Sequence, residues 1–202
     1  MNNEPFPPSS WQPKLPVQKI MAYLAIAAIS VLFVTLTMAY KIQSQHWHWE
    51  TFPFPKIFFA TTFAIIVSSY TMQATVKAFK RSDTLSFQQL LGATIVLGAL
   101  FMLGQVAGWY NLHKNGIFFD GKLDGAYLYL LSGLHVLHLL VGWLLLIYLL
   151  QKNYRIAHQP TEMVLFYNEP IQLTRVEIIA IYWHFVDILW LYLLFFLLLN
   201  HT

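Results

Sequence analysis

Cysteine is absent from the 202 residues. That excludes disulfides, thiolate metal sites and cysteine nucleophiles. Charge is scarce too. Twelve Lys/Arg and nine Asp/Glu make up 10% of the chain, against about a quarter in a typical soluble domain. The net charge of +3 is small and scattered, which gives no support to nucleic-acid binding. A Ser/His/Asp arrangement, a phosphate-binding loop and a zinc-protease motif are all missing, so nothing points to independent catalysis. What the chain has instead is hydrophobic residues, 57% of the total, gathered into runs long enough to cross a bilayer.

The expected fold is all-α, an integral membrane bundle of five transmembrane helices. The spans fall at about 19–40, 54–79, 87–112, 125–150 and 175–199. Residues 1–18 are polar and proline-rich and read as a flexible cytoplasmic tail ahead of a single bundle, 19–202. The first apolar run is already long enough to span, so it reads as a membrane helix and not as a signal peptide. A loop with His46, Trp47, His48, Trp49 and Glu50 suits the headgroup interface. A longer polar loop, about Gln151–Leu173, joins the last two spans, and its Pro160 and Pro170 argue against a continuous helix there.

Five spans put the termini on opposite sides. Lys14, Lys19, Lys77, Lys80, Arg81, Lys152, Arg155 and Arg175 would share one side, and Lys41, Lys56, Lys114 and Lys122 the other. The positive-inside rule places the N-terminus in the cytoplasm and the C-terminus outside.

Several polar residues lie within the spans. The second carries Thr61, Thr62, Ser68, Ser69, Thr71 and Gln73, a face suited to packing or interhelical hydrogen bonds. The third has Gly104-x-x-x-Gly108, a close-packing signal, with Gln105 and Trp109 as packing or interface anchors. The fourth holds His135 and His138, one turn apart. The fifth holds Glu177, His184 and Asp187, whose helical spacing puts all three along one side. A charged group at mid-membrane costs roughly 2.5–3.5 kcal/mol on insertion scales, so these groups require partners. The two mid-span pairs sit at similar depth, and the expected contact is His138 with Asp187 or His184. Four uses remain open for them: a structural clamp, coordination of a lipid headgroup or ordered water, part of a proton relay, or ligation of haem or another metal. Glu177, nearer the cytoplasmic end, would pair with Arg175 or with another helix.

These residues resemble those of cytochrome c oxidase subunit III, a family of the haem–copper oxidases. The fifth span, Glu177 followed by Tyr182-Trp183-His184-Phe185-Val186-Asp187 and Trp190, is nearly the family's own text. Gly133-Leu134-His135-Val136-Leu137-His138 resembles its Gly-x-His-x-x-His. Thr61–Thr62 with Ser68–Ala74, and Leu97-Gly98, Phe101, Gln105, Trp109, Leu112 and Gly116, are similar in order and spacing. The resemblance runs from about Lys19 to the end. It looks like a five-helix form without the first two of seven helices, and Ile29 stands where the family usually has an intramembrane carboxylate.

The resemblance implies a non-catalytic subunit of a proton-pumping terminal oxidase that reduces oxygen to water, in a bacterial inner membrane. Haem and copper would belong to partner subunits, with no cofactor or metal in this chain and with bound phospholipid. Its partners would be subunit I directly, then subunit II, small subunits and membrane lipids. His135, His138, Glu177, Trp183, His184 and Asp187 would form an internal polar, lipid-associated network, none of them catalytic. An accessory subunit of a nitric oxide reductase, a free-standing b-type cytochrome and a small transporter are the competing readings.

Overall fold

The structure is a computed structural model that describes residues 17–44, 57–116, 123–157 and 159–201. Among the described residues the regular structure is helical: α1 (Val17–Ser44), α2 (Ile57–Lys80), α3 (Thr84–Lys114), α4 (Leu123–Ile156), α5 (Pro160–Asn168) and α6 (Pro170–His201). All but α5 are long and apolar enough to cross a membrane. The interfacial cluster expected at His46–Glu50 and the first 16 residues lie outside the described residues.

The helices overrun the expected spans. Val17 and Gln18, assigned to the tail, are the first turn of α1. The segment after the fourth span is mostly helical rather than loop: α4 runs on to Ile156, and α5 fills residues 160–168. The two prolines explain where the chain breaks. Pro160 and Pro170 each open a helix, where the missing N–H costs nothing. Between α2 and α3 the chain turns tightly through Ser82, which adopts a positive φ of 55°. Asp83 then caps α3, its Oδ1 accepting the Ser86 backbone N–H at 3.1 Å.

Helix α6 is the axis of the bundle. It packs against α1, α2, α4 and α5, while α2 pairs with α3 and α3 with α4. It reaches α3 through aromatic rings: Trp183 lies over Gly98, and Trp190 meets Phe101 edge-on with centroids 5.0 Å apart. Trp183 and Trp190 are fully buried, the largest side chains in the core. The Gly104-x-x-x-Gly108 motif does what its spacing suggests. A Cβ at Gly104 would strike Thr61, and one at Gly108 would strike the Phe58 ring, so α2 and α3 approach more closely than any larger residue permits. A second, smaller core joins α1 to α4 and α6 through Phe33, Leu131, Leu189 and Leu193. Ile29 packs against it, so the position that resembles a carboxylate site in the family is apolar packing here.

Candidate functional site

Without water inside a bilayer, a polar side chain bonds its own backbone, another helix or an outside partner. The structure sorts the polar residues of the spans into these cases. On α2 the expected polar face is an interhelical seam. Thr62 Oγ1 accepts the Trp190 indole N–H at 2.9 Å, and Ser68 Oγ accepts the Trp183 N–H at 3.2 Å. Thr71 and Thr94 share a hydroxyl contact of 2.8 Å with α3. The same device recurs elsewhere: Trp109 donates to Ser132 Oγ on α4, and Trp143 donates to the Ile95 carbonyl on α3, both at 2.9 Å. An indole brings a large apolar body and one donor, which suits it to these contacts.

The expected contact of His138 with Asp187 or His184 is not made. His138 is half-buried, its Nδ1 2.7 Å from the Leu134 carbonyl of its own helix and its ring edge-on to Phe33 of α1. His184 and Asp187 face α2 instead: His184 Nδ1 is 2.7 Å from Ser69 Oγ, and Asp187 lines a groove with the same serine. The reason is rotational. Equal depth brings two residues to one level, but only if their helix faces are turned toward each other can they meet. On α4 the face toward α6 is filled at this level by His135, whose ring tilts against Trp190 at 5.3 Å and meets Phe101 edge-on at 5.8 Å. The α4–α6 polar link falls on other atoms, the Tyr182 hydroxyl donating to the His138 carbonyl at 2.9 Å.

Glu177, His184 and Asp187 do share one side of α6, since each meets α2. Glu177 is paired across the bundle and not with Arg175. Its two oxygens lie 2.8 Å from Lys19 Nζ of α1 and 2.8 Å from Lys80 Nζ of α2. The expected alternative of a partner on another helix therefore holds, and the charge pattern puts Lys19 and Lys80 on the same membrane side as the start of the last span. Arg175 is exposed.

Among the described residues five side chains leave buried polar atoms without a geometric hydrogen-bond partner inside the spans, Thr84 at the first turn of α3 being one. Both ring nitrogens of His135 and both side-chain polar atoms of Gln105 are unpaired, and each residue is fully buried. Both Asp187 oxygens and His184 Nε2 are also unpaired. Among the described residues, no three His, Asp or Glu side chains come together as a metal site. Thus His135 sits in an aromatic slot, His138 bonds backbone, Glu177 ties three helix ends, Trp183 bridges to α2, and His184 with Asp187 floors a groove.

The family model described as cytochrome c oxidase subunit III matches residues 52–200. A protein of Corynebacterium diphtheriae named cytochrome c oxidase subunit 3 is 30% identical over 130 residues, 64% of this chain and 58% of that protein. One of Mycobacterium leprae, named probable cytochrome c oxidase subunit 3, is 33% identical over 130 residues, 64% of this chain and 59% of that protein. Cytochrome c oxidase subunit 3 of Synechocystis is 29% identical over 175 residues, covering 84% of this chain and 70% of that protein. The match therefore spans just under three-fifths of the first two relatives.

Proposed function

The chain belongs to the cytochrome c oxidase subunit III family, and from that membership we propose that it is a non-catalytic subunit of a proton-pumping haem–copper terminal oxidase. In this reading it stabilises subunit I and that subunit's proton supply, and haem and copper reside in the partners. The observation that carries the proposal is how the family-like residues of α6 are used. Trp183 and Trp190 are fully buried and hydrogen-bonded to α2, and His135 is tilted against Trp190 and edge-on to Phe101. Side chains so enclosed by aromatic rings and neighbouring helices serve to hold a scaffold rigid. A rigid scaffold is what an enzyme subunit next door requires to keep its own site fixed.

Phospholipid binding is supported by the charge at one end of the bundle. Two ammonium groups converge on the single Glu177 carboxylate, and Lys77, Arg81 and Arg175 lie exposed on neighbouring turns. The surplus positive charge suits a phosphate headgroup. The same clustering supports the orientation with this end in the cytoplasm of a bacterium and the C-terminus outside.

The test is purification of the tagged chain in mild detergent, with visible spectroscopy and mass analysis of what accompanies it. Haem-bearing subunits should co-purify, and the chain separated from them should be colourless. His184→Phe should leave the haem bands of the complex unchanged. A haem band that stays with the isolated chain would overturn the reading, as would loss of a haem band in the variant.

A further inference from the structure

In the groove between α2 and α6 a buried ionisable group meets open surface with only the Ser69 hydroxyl beside it in the described chain. The groove measures about 500 Å³, and its lining includes Ile66, Ser69, Tyr70, His184, Asp187, Ile188 and Leu191. Its floor is polar: Asp187 is only 4% exposed and neither oxygen has a hydrogen-bond partner, and His184 Nε2 is buried and unpaired as well. Its rim is apolar and open, with Ile66, Tyr70 and Ile188 each half or more exposed.

Depth narrows the choice of occupant. Asp187 lies 17 residues after Pro170 and 13 before Asn200 within the last membrane span. At 1.5 Å per residue these are about 26 and 20 Å along the helix, so Asp187 sits close to the middle of the span. A lipid headgroup lies some 15 Å from the midplane of a hydrocarbon core about 30 Å thick, and acyl chains offer no donor. A carboxyl group facing hydrocarbon at that depth is strongly disfavoured. An apolar rim around an acceptor floor fits a helix side that brings one polar group among aliphatic ones.

We propose that the α2–α6 groove receives a transmembrane helix of a different polypeptide, which places a hydrogen-bond donor (ammonium, guanidinium, amide or hydroxyl) on Asp187 and His184 near the bilayer midplane. The inference rests on the subunit reading above and adds to it the face of the chain and the chemistry of the contact. Ile66, Ile188 and Leu191 pack on that helix, and its donor satisfies the orphaned acceptors. The absence of cysteine and the exposure of Ile188 make the face convenient to probe.

The experiment places a benzophenone amino acid at Ile188 of the tagged full chain in its native membrane, followed by irradiation and mass analysis. A covalent adduct with another polypeptide, attached within an apolar segment that carries a donor side chain, is the expected result. Adducts with lipid alone, or with a second copy of this chain, overturn the proposal. In the same background Asp187→Leu should abolish most of the protein adduct, about tenfold or more for loss of one buried polar contact, while Asp187→Asn retains it. Within its own chain Asp187 has only the Ser69 hydroxyl beside it, so Asp187→Leu should leave the melting midpoint of the isolated chain nearly undiminished. A clear fall there, or an undiminished adduct in the leucine variant, contradicts the assignment. If haem-bearing subunits co-purify but Ile188 gives no protein adduct, the groove assignment alone fails. If no haem-bearing subunit co-purifies, the subunit reading fails and takes the groove assignment with it.

Discussion

Trp190 of α6 donates its indole N–H to Thr62 Oγ1 of α2 at 2.9 Å, a bond between residues 128 positions apart in a fully buried setting. Thr62 Oγ1 simultaneously donates to the Phe58 carbonyl of its own helix at 2.6 Å, so the hydroxyl is used in both directions. Trp190 also touches Phe58, Phe101 and His135. One side chain therefore links α6 to α2, α3 and α4.

Trp190→Phe keeps a ring and removes the donor. It should lower stability by roughly 1 kcal/mol for the hydrogen bond, with a further loss from the smaller ring. Thr62→Val removes the acceptor at nearly constant volume. Thermal unfolding in detergent of both single variants and the double variant closes a double-mutant cycle. The losses should be clearly less than additive; strict additivity would mean that the bond contributes nothing.

Gly104→Ala should be destabilising by about 1–3 kcal/mol, because the added methyl meets Thr61 at the α2–α3 crossing. Thr61→Ser in the same chain removes the methyl that is struck and keeps the hydroxyl bonded to the Phe58 carbonyl. It should recover part of the loss. Gly92→Ala is the control, since a Cβ there has nothing within 4 Å, and it should be neutral or better. Equal effects at Gly92 and Gly104 would contradict close packing as the cause.

Glu177→Gln leaves Lys19 and Lys80 facing each other without a carboxylate between them. The three side chains are 23%, 51% and 24% exposed for Lys19, Lys80 and Glu177, so water screens the pair and the expected loss is below about 1 kcal/mol. The loss should shrink as salt is added. A deficit unchanged between low and high salt would point to packing instead of charge.

Asp83 caps α3 outside the membrane spans. Its hydrogen bonds to Ser86, with Arg81 nearby, hold its carboxyl below the usual carboxylate value. A lowered folded value means the charged cap stabilises fully at neutral pH and loses its contribution as pH falls through that value. Asp83→Ala should lower the unfolding midpoint slightly at pH 7, while Asp83→Asn, still an acceptor, should lose less. The gap between wild type and Asp83→Asn should close on acidification. A gap that widens would reverse the sign and refute the cap's charge as its source.

Much of the fold was legible because it depends on local composition. Long apolar runs, few charges and the prolines at 160 and 170 were enough for an all-α bundle of five membrane-length helices. The overrun at the helix ends was less visible, since helical hydrogen bonding continues past the apolar stretch into residues such as Gln151–Ile156, whose polarity reads as loop. Of the site, the shared side of Glu177, His184 and Asp187 could be read from spacing, and so could the close approach at Gly104 and Gly108. The partners could not. Depth alone suggested His138 for Asp187, whereas His138 turns toward α1 and Asp187 toward α2.

The sequence by itself determined that this chain inserts, how many times it can cross, and which residues on a given helix look the same way, because these follow from hydrophobicity and a period of 3.6 residues. The tertiary structure alone decided that Glu177 closes onto Lys19 and Lys80, that His135 is walled in by aromatic rings, and that Asp187 is left at the floor of an open groove. The physical reason is that a helix fixes the angles among its own side chains but not its rotation against its neighbours. That rotation is set by packing many side chains from distant parts of the chain at once, so the neighbours of a buried polar group cannot be counted off along a single helix.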